Sequence, residues 1–150
     1  MTGQAASTLW HPSGGSVAAQ MGTEHADAAR LNILSGQAIG CAFTVMNMLG
    51  VGFVAKIYDN VLAHELRKAG RKIAQQHGMR VMCDGIKLGA YVVDMLVEDD
   101  LLIELKAVKA FDEPHRLQCV NYLQTIGLQL CLLLNFGKPR LEIRRLAHNL

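Results

Sequence analysis

No C-x-x-C pair occurs in the 150 residues, and the four cysteines (Cys41, Cys83, Cys119 and Cys131) are widely spaced. That spacing argues against a disulfide frame or a zinc site. Three of them sit inside apolar runs, so they read as buried thiols in a reducing, cytoplasmic compartment. The six histidines form no H-E-x-x-H, and His64-Glu65 is a fragment of that pattern without its second histidine. The opening "MTGQAASTLWHPSGGSVAAQ" lacks both a basic start and a long apolar core, so no secretory signal is expected. No internal repeat is visible. A surplus of one charge sign is missing too: the net charge of +2 does not by itself mark a nucleic-acid binder. The cations are unevenly spread, with Arg67, Lys68, Arg71 and Lys72 in one cluster and Lys138, Arg140, Arg144 and Arg145 in another. Such clusters either track phosphates or are ordinary solvated surface.

Residues 31–55 carry no charge over 25 positions, enough to span a bilayer in length. Asn32, Ser35, Gln37, Thr44 and Asn47 interrupt the run, and Gly50 and Gly52 break it. Buried helices are the better account, and no membrane partner is expected. Half of the chain is apolar, which suits one domain with a sizeable core. Residues 1–30, rich in Gly, Ser, Ala and Gln, read as a mobile tail ahead of a domain at 31–150.

In the first ordered helix Ile39, Ala42, Phe43 and Met46 recur at helical spacing, and Gly50 closes the element. "FVAKIYDNVLAHELRKAG" is a second helix with Val54, Ile57, Val61, Leu62 and Leu66 as its stripe and Gly70 as its stop. Asp84-Gly85 between two short apolar runs signals a hairpin. Strands follow near 91–97 and 101–108, then a helix from Pro114 to about Ile126 that ends at Gly127. "LQLCLLLNF" suits a strand covered on both faces, and "RLEIRRL" an edge strand. This order gives an α/β fold, a mixed sheet flanked by helices.

Within "YVVDMLVEDDLLIELKAVKA", Asp94, Glu104 and Lys106 each have apolar neighbours on both sides. With Glu98-Asp99-Asp100 as a hairpin loop, Val97 pairs with Leu101, Met95 with Ile103 and Val93 with Leu105, which puts six apolar side chains on one face. The same register places Asp94 opposite Glu104 and Lys106 opposite Val92. Opposed Cβ atoms lie roughly 4.5–5.5 Å apart, so two carboxylates there repel unless something compensates them. Mg²⁺ would do so, since it is commonly held by one or two carboxylates, waters and a substrate phosphate. Lys106, on the same face, could hold a water or stabilise developing negative charge. The bland alternative is a solvent-facing strand pair with Lys106 neutralising the acids. Val92, Leu96 and Leu102 on that face argue for a covered site.

Asp94, nine intervening residues and then "ELK" at 104–106 resembles the D…(D/E)-x-K signature of the PD-(D/E)XK nuclease-like superfamily. "LGVGFVAKIYDNVLAHELRKAG", "YVVDMLVEDDLLIELKAV" and "PHRLQCVNYLQTIGLQLCLLLNFGKPRLEIRRL" together resemble the small prokaryotic GxxExxY protein family, over about residues 34–146. The resemblance implies a restriction-endonuclease-like fold. It also implies Asp94 and Glu104 as metal-binding acids, the Leu105 backbone carbonyl as a further ligand and Lys106 as the catalytic lysine. Gln118 and Tyr122 match a Q-x-x-x-Y helix motif of exonuclease-type members, and His115 shares their helix face. Taken without the resemblance, that pair is a helix-to-sheet contact. One departure is serious. Gly52 and Tyr58 match the naming motif, but Ala55 stands where its glutamate belongs. Thr44 and Met46 likewise replace an acid and a histidine. Asp59, one turn beyond Ala55, is a shorter substitute about 6 Å further along the helix axis.

The leading reading is therefore a metal-dependent nuclease, impaired or not by Ala55. It would use Mg²⁺ or Mn²⁺ on nucleic acid, DNA in preference to RNA, with Arg67 and Lys68 steering the backbone. A catalytically inactive nucleic-acid-binding module is the second reading, and a structural or partner-binding homodimer formed through residues 31–55 is the third.

Overall fold

The computed structural model describes the backbone of residues 17–148 and the side chains of residues 26–148 apart from residue 82. The tail expected at 1–16 lies outside the described residues. The expected tail at 17–30 is instead helical: α1 runs Val17–Leu49 without a break. Leu31, Leu34, Ala38, Ala42, Val45 and Met46 are its buried stripe, at three- and four-residue spacing. Phe43, expected on that stripe, is exposed, because the two alanines rather than the phenylalanine face inward. Gly50, at φ 67°, ends the helix by donating its N–H to the Met46 carbonyl.

Helix α2 spans Ala55–Lys68 and buries Tyr58, Asp59, Leu62, Ala63 and Leu66. The expected stripe is therefore rotated: Val54 and Ile57 are exposed, and Tyr58 takes the inward place. Tyr58 can do so because its hydroxyl has partners. It donates to the Gly50 carbonyl at 2.6 Å and accepts from the Phe53 N–H at 3.3 Å, while its ring stacks on Phe136. Gly70, at φ 86°, closes α2: its N–H goes to the Arg67 carbonyl and that of Arg71 to Leu66, the paired bonds of a Schellman ending.

Strands β1 (Ile73–Cys83) and β2 (Ile86–Val97) form a long antiparallel hairpin. Its tip is Asp84-Gly85, both at positive φ as the expected tight turn requires. The hairpin and the strand read separately at 91–97 are thus one continuous β2. Strand β3 (Leu101–Lys106) pairs antiparallel to β2, then α3 (Glu113–Ile126) crosses to β4 (Leu130–Asn135), parallel to β3. Asp112 caps α3, Pro114 sits in its first turn, and Gly127 ends it in the left-handed conformation. Strand β5 (Glu142–Ala147) closes the order β1-β2-β3-β4-β5 as an edge. Every residue of β4 is buried, because helices cover both faces of the sheet there.

On one face Met95, Val97, Leu101, Ile103, Leu105, Leu132 and Leu134 pack against α1 and α2. On the other, Leu96, Leu102, Cys131 and Leu133 pack against Cys119, Tyr122 and Leu123 of α3. Five of the six residues expected on one face are there. Val93 is not; it lies with the α3 cluster. Residues two apart on a strand should share a face, so β2 turns over between Val93 and Met95. The opposing residue of β1 shows where: Gln76 adopts φ 50°, and the ladder skips the Gln76–Asp94 position. Asp94 sits at the turnover.

Among the described residues no helix is long and apolar enough to cross a membrane. Three of the four cysteines, Cys83, Cys119 and Cys131, are buried, and Cys41 is half-buried.

Candidate functional site

The expected register between β2 and β3 is present in the pairs Val97↔Leu101, Leu96↔Leu102 and Met95↔Ile103. The ladder stops there, and the acids take over. Leu105 N–H donates to Asp94 Oδ2 at 2.9 Å, and Asp94 N–H donates to Glu104 Oε1 at 3.2 Å. Each carboxylate thus reaches across to the opposite strand's backbone where a main-chain bond would otherwise run. The expected pairs Val93–Leu105 and Val92–Lys106 are not made. Beyond the acids β2 stays with β1 and β3 with β4, since the turnover at Asp94 carries the two strands apart.

Glu104 is 4 % exposed. Burial first, and the neighbouring Asp94 charge second, push its carboxyl up to about 9. Among the described residues neither acid is in an ion pair. Two apposed acids, one of them buried and neither in an ion pair among the described residues, suit a divalent cation with oxygen ligands. Their number fits only an open site completed by water or substrate: among the described residues no three His, Cys, Asp or Glu side chains group to hold a metal.

A third acid lies close by. Asp59 on α2 is buried; desolvation raises its pKa, and the Asp94 charge adds a smaller push in the same direction. Its oxygens are already engaged, by Gln75 Nε2 at 3.1 Å and Gln76 Nε2 at 3.2 Å. Asp59 therefore anchors the left-handed Gln76 that opposes Asp94. It supports the site's backbone instead of replacing the glutamate absent at Ala55, the first residue of α2.

Lys106 ends β3, half-buried, and its ammonium has no ion pair among the described residues. Its position is fixed by a residue that the sequence reading missed. Asn135, wholly buried on β4, pairs with Lys106 in register. Its Oδ1 accepts from Val108 N–H at 3.0 Å and Gly137 N–H at 2.9 Å, and its Nδ2 donates to the Val108 carbonyl at 2.9 Å and Glu142 at 3.2 Å. Phe136 N–H donates to the Lys106 carbonyl at 2.8 Å. A side chain on Gly137 would collide with the Val108 backbone at 2.4 Å, so the close approach requires glycine there. The signal was present in "LCLLLNF", where Asn135 is the lone polar residue of a buried strand.

On the α3 side, Gln118 Nε2 donates to the Tyr122 hydroxyl at 2.8 Å. Tyr122 packs with Val93 and Leu102 on this face of the sheet, and burial, then the Glu104 charge, raise its pKa. His115 does not join it. Its Nδ1 accepts from Asp112 N–H at 3.4 Å while Asp112 accepts from His115 N–H at 3.2 Å, a reciprocal helix cap. Tyr58 lies in the α1/α2 core. Arg67 bonds the start of β1 through Gln75 at 3.3 Å and the Ile73 carbonyl at 3.4 Å, and Lys68 pairs with Glu65 at 3.2 Å. Asp94, Glu104 and Lys106 thus lie along the end of β3 with Tyr122 on the α3 side, while Tyr58, Asp59, His115 and Arg67 make the contacts given above. Leu105, between the acid and the lysine, turns its side chain into the α1/α2 core.

A family model for the PD-(D/E)XK nuclease superfamily matches residues 32–146. No curated protein and no solved structure matches the chain.

Proposed function

Because the chain belongs to the PD-(D/E)XK nuclease superfamily, we propose that it hydrolyses phosphodiester bonds in nucleic acid with a divalent cation at Asp94 and Glu104. The observation that carries this reading is the apposed acid pair, Glu104 buried and Asp94 half-buried and neither in an ion pair among the described residues, at the point where β2 and β3 part. Mg²⁺ or Mn²⁺ bound there would polarise a phosphoryl oxygen and offset the mutual repulsion of the two acids. Asp94 and Glu104 supply the oxygen ligands, and the Leu105 carbonyl between Glu104 and Lys106 is the nearest main-chain candidate for a further one. Lys106, without a carboxylate partner among the described residues, orients the attacking water or stabilises charge gathering on the phosphate. Tyr122, held by Gln118, walls the acids from the α3 side. The narrower GxxExxY resemblance agrees with this reading at Gly52 and Tyr58 and departs from it at Ala55.

Incubation of the purified protein with single- and double-stranded DNA and RNA, with Mg²⁺, with Mn²⁺ and with chelator, is the direct test. Cleavage that needs metal and disappears in Asp94→Ala and Lys106→Ala is expected. Wild type that leaves every substrate intact would rule the activity out for those forms.

A second reading, a nucleic-acid-binding module without catalysis, is favoured by one observation. Ala55 brings no carboxylate, and the oxygens of Asp59 are bound to Gln75 and Gln76. Calorimetric Mn²⁺ titration separates the two readings. Tight binding by wild type supports the enzyme; weak binding that Ala55→Glu strengthens supports the module.

A further inference from the structure

Past Asp94, on the α3 side of the sheet, the surface sinks into a shallow groove of about 360 Å³ lined by Tyr91, Pro114, Leu117, Gln118, Asn121 and Tyr122. One wall is Tyr91, on the part of β2 that runs beyond β3. The other is a single face of α3, whose lining residues recur at three- and four-residue spacing. The rings of Tyr91 and Tyr122 meet edge to face with centroids 4.5 Å apart. Tyr91 remains 37 % exposed and Leu117 45 %. Two amides stand at the rim. Gln118 spends its nitrogen on Tyr122 and keeps its oxygen, and the Asn121 side chain bonds nothing among the described residues.

No charged side chain lines the groove, which argues against a phosphate inside it. Flat aromatic and aliphatic surface edged by amide donors and acceptors is the chemistry that recognises a nucleobase, by stacking and by edge hydrogen bonds. The volume lies at the low end of the roughly 300–1,000 Å³ typical of small-ligand pockets, room for one nucleoside and far too little for a duplex. The groove adjoins the acid strand through Tyr122, which lines it and packs in one cluster with Val93, the chain neighbour of Asp94. Lys106, at the end of β3 and in no ion pair among the described residues, offers a cation to a backbone phosphate.

We propose that this groove takes one unstacked base of a single-stranded nucleic acid and thereby sets the adjoining phosphate at Asp94, Glu104 and Lys106. The inference rests on the nuclease reading above. A base within a duplex is stacked on both sides and cannot enter without being unpaired, so the groove selects single strands, frayed ends or flaps.

The test measures binding with Ca²⁺ in place of Mg²⁺, using a short strand that carries one 2-aminopurine and its blunt duplex. The single strand should bind about ten-fold more tightly than the duplex, with its fluorescence quenched on binding. Tyr91→Ala should weaken single-strand binding about ten-fold and relieve the quench, the loss of one stacked base. Leu117→Ser, at an exposed position that spares folding, should act in the same direction. Duplex bound as tightly as the single strand, or single-strand affinity within about two-fold of wild type in both variants, overturns the groove and leaves the nuclease reading standing. Wild type that binds neither form overturns both.

Discussion

The carboxylate of Asp94 accepts the Leu105 N–H at 2.9 Å while the N–H of Asp94 itself donates to Glu104 at 3.2 Å. Side chain and main chain of one residue thus tie both sides of the strand junction. Two substitutions separate structure from chemistry. Asp94→Asn keeps an oxygen for Leu105 and removes the charge; Asp94→Ala removes both. Metal-dependent cleavage should fall at least ~100-fold in either. Asp94→Ala should be less stable than Asp94→Asn by about 1 kcal/mol in urea unfolding, the usual net worth of one hydrogen bond. Asp94→Asn retaining near wild-type turnover would remove Asp94 from the cation site.

Glu104 makes the metal-free protein sensitive to alkali. Its folded pKa of about 9 stands above the ordinary 4.5, so below 4.5 both folded and unfolded chains carry the proton. As pH rises from there, the unfolded chain releases the proton first, and stability falls until the folded group also ionises near 9. The loss is on the order of several kcal/mol across that window. Urea midpoints of chelated wild type should therefore drop between pH 5 and pH 9, and those of Glu104→Gln should drop much less. Saturating Mn²⁺ should flatten the wild-type curve, because bound cation favours the ionised form. Parallel pH curves for wild type and Glu104→Gln would sink this account of the acid.

Asn135 bridges Val108, Gly137 and Glu142 with no exposure to solvent. Asn135→Leu fills similar space but strands the N–H and C=O of Val108, at about 2–4 kcal/mol. Because Lys106 lies directly across the ladder, cleavage should decline even where the variant remains folded. Circular dichroism melts and turnover below the melting range give the two readouts. Full activity in a destabilised Asn135→Leu would show that the clamp serves the fold alone.

The sequence made the register of the acid hairpin legible because one face of β2 and β3 is wholly apolar, and a one-residue slip would mix it with the face that carries the acids. Helix ends were legible for a similar local reason: Gly50, Gly70 and Gly127 sit at positive φ where other residues are strained. What escaped was non-local. The turnover of β2 depends on Gln76 in β1, and the left-handed backbone of Gln76 is coupled to Asp59 on α2. No periodicity within 91–97 contains those partners. Helix stripes were misplaced by about one position at Phe43 and Ile57, because close packing selected Ala42 and Tyr58 over the more apolar side chains. His115 was read by its spacing from Gln118, yet Asp112, three residues to its other side, claimed it as a cap.

Tyr58 offers the clearest division between scaffold and site. The resemblance makes it part of the naming motif, a supporting or nucleic-acid-binding residue, and in the fold its ring is stacked on Phe136 at 4.7 Å while its hydroxyl joins Gly50 and Phe53 in the turn between α1 and α2. Tyr58→Phe preserves the ring and deletes only that bridge, so stability should fall by about 1 kcal/mol. Oligonucleotide affinity and cleavage should stay within about two-fold of wild type, the scatter expected of a change that touches no ligand. A loss of turnover well beyond this, in a variant whose melting temperature barely moves, would mean that the α1–α2 turn reaches the substrate. The exposed side chains of Val51 and Phe53 would then be the first candidates for that contact.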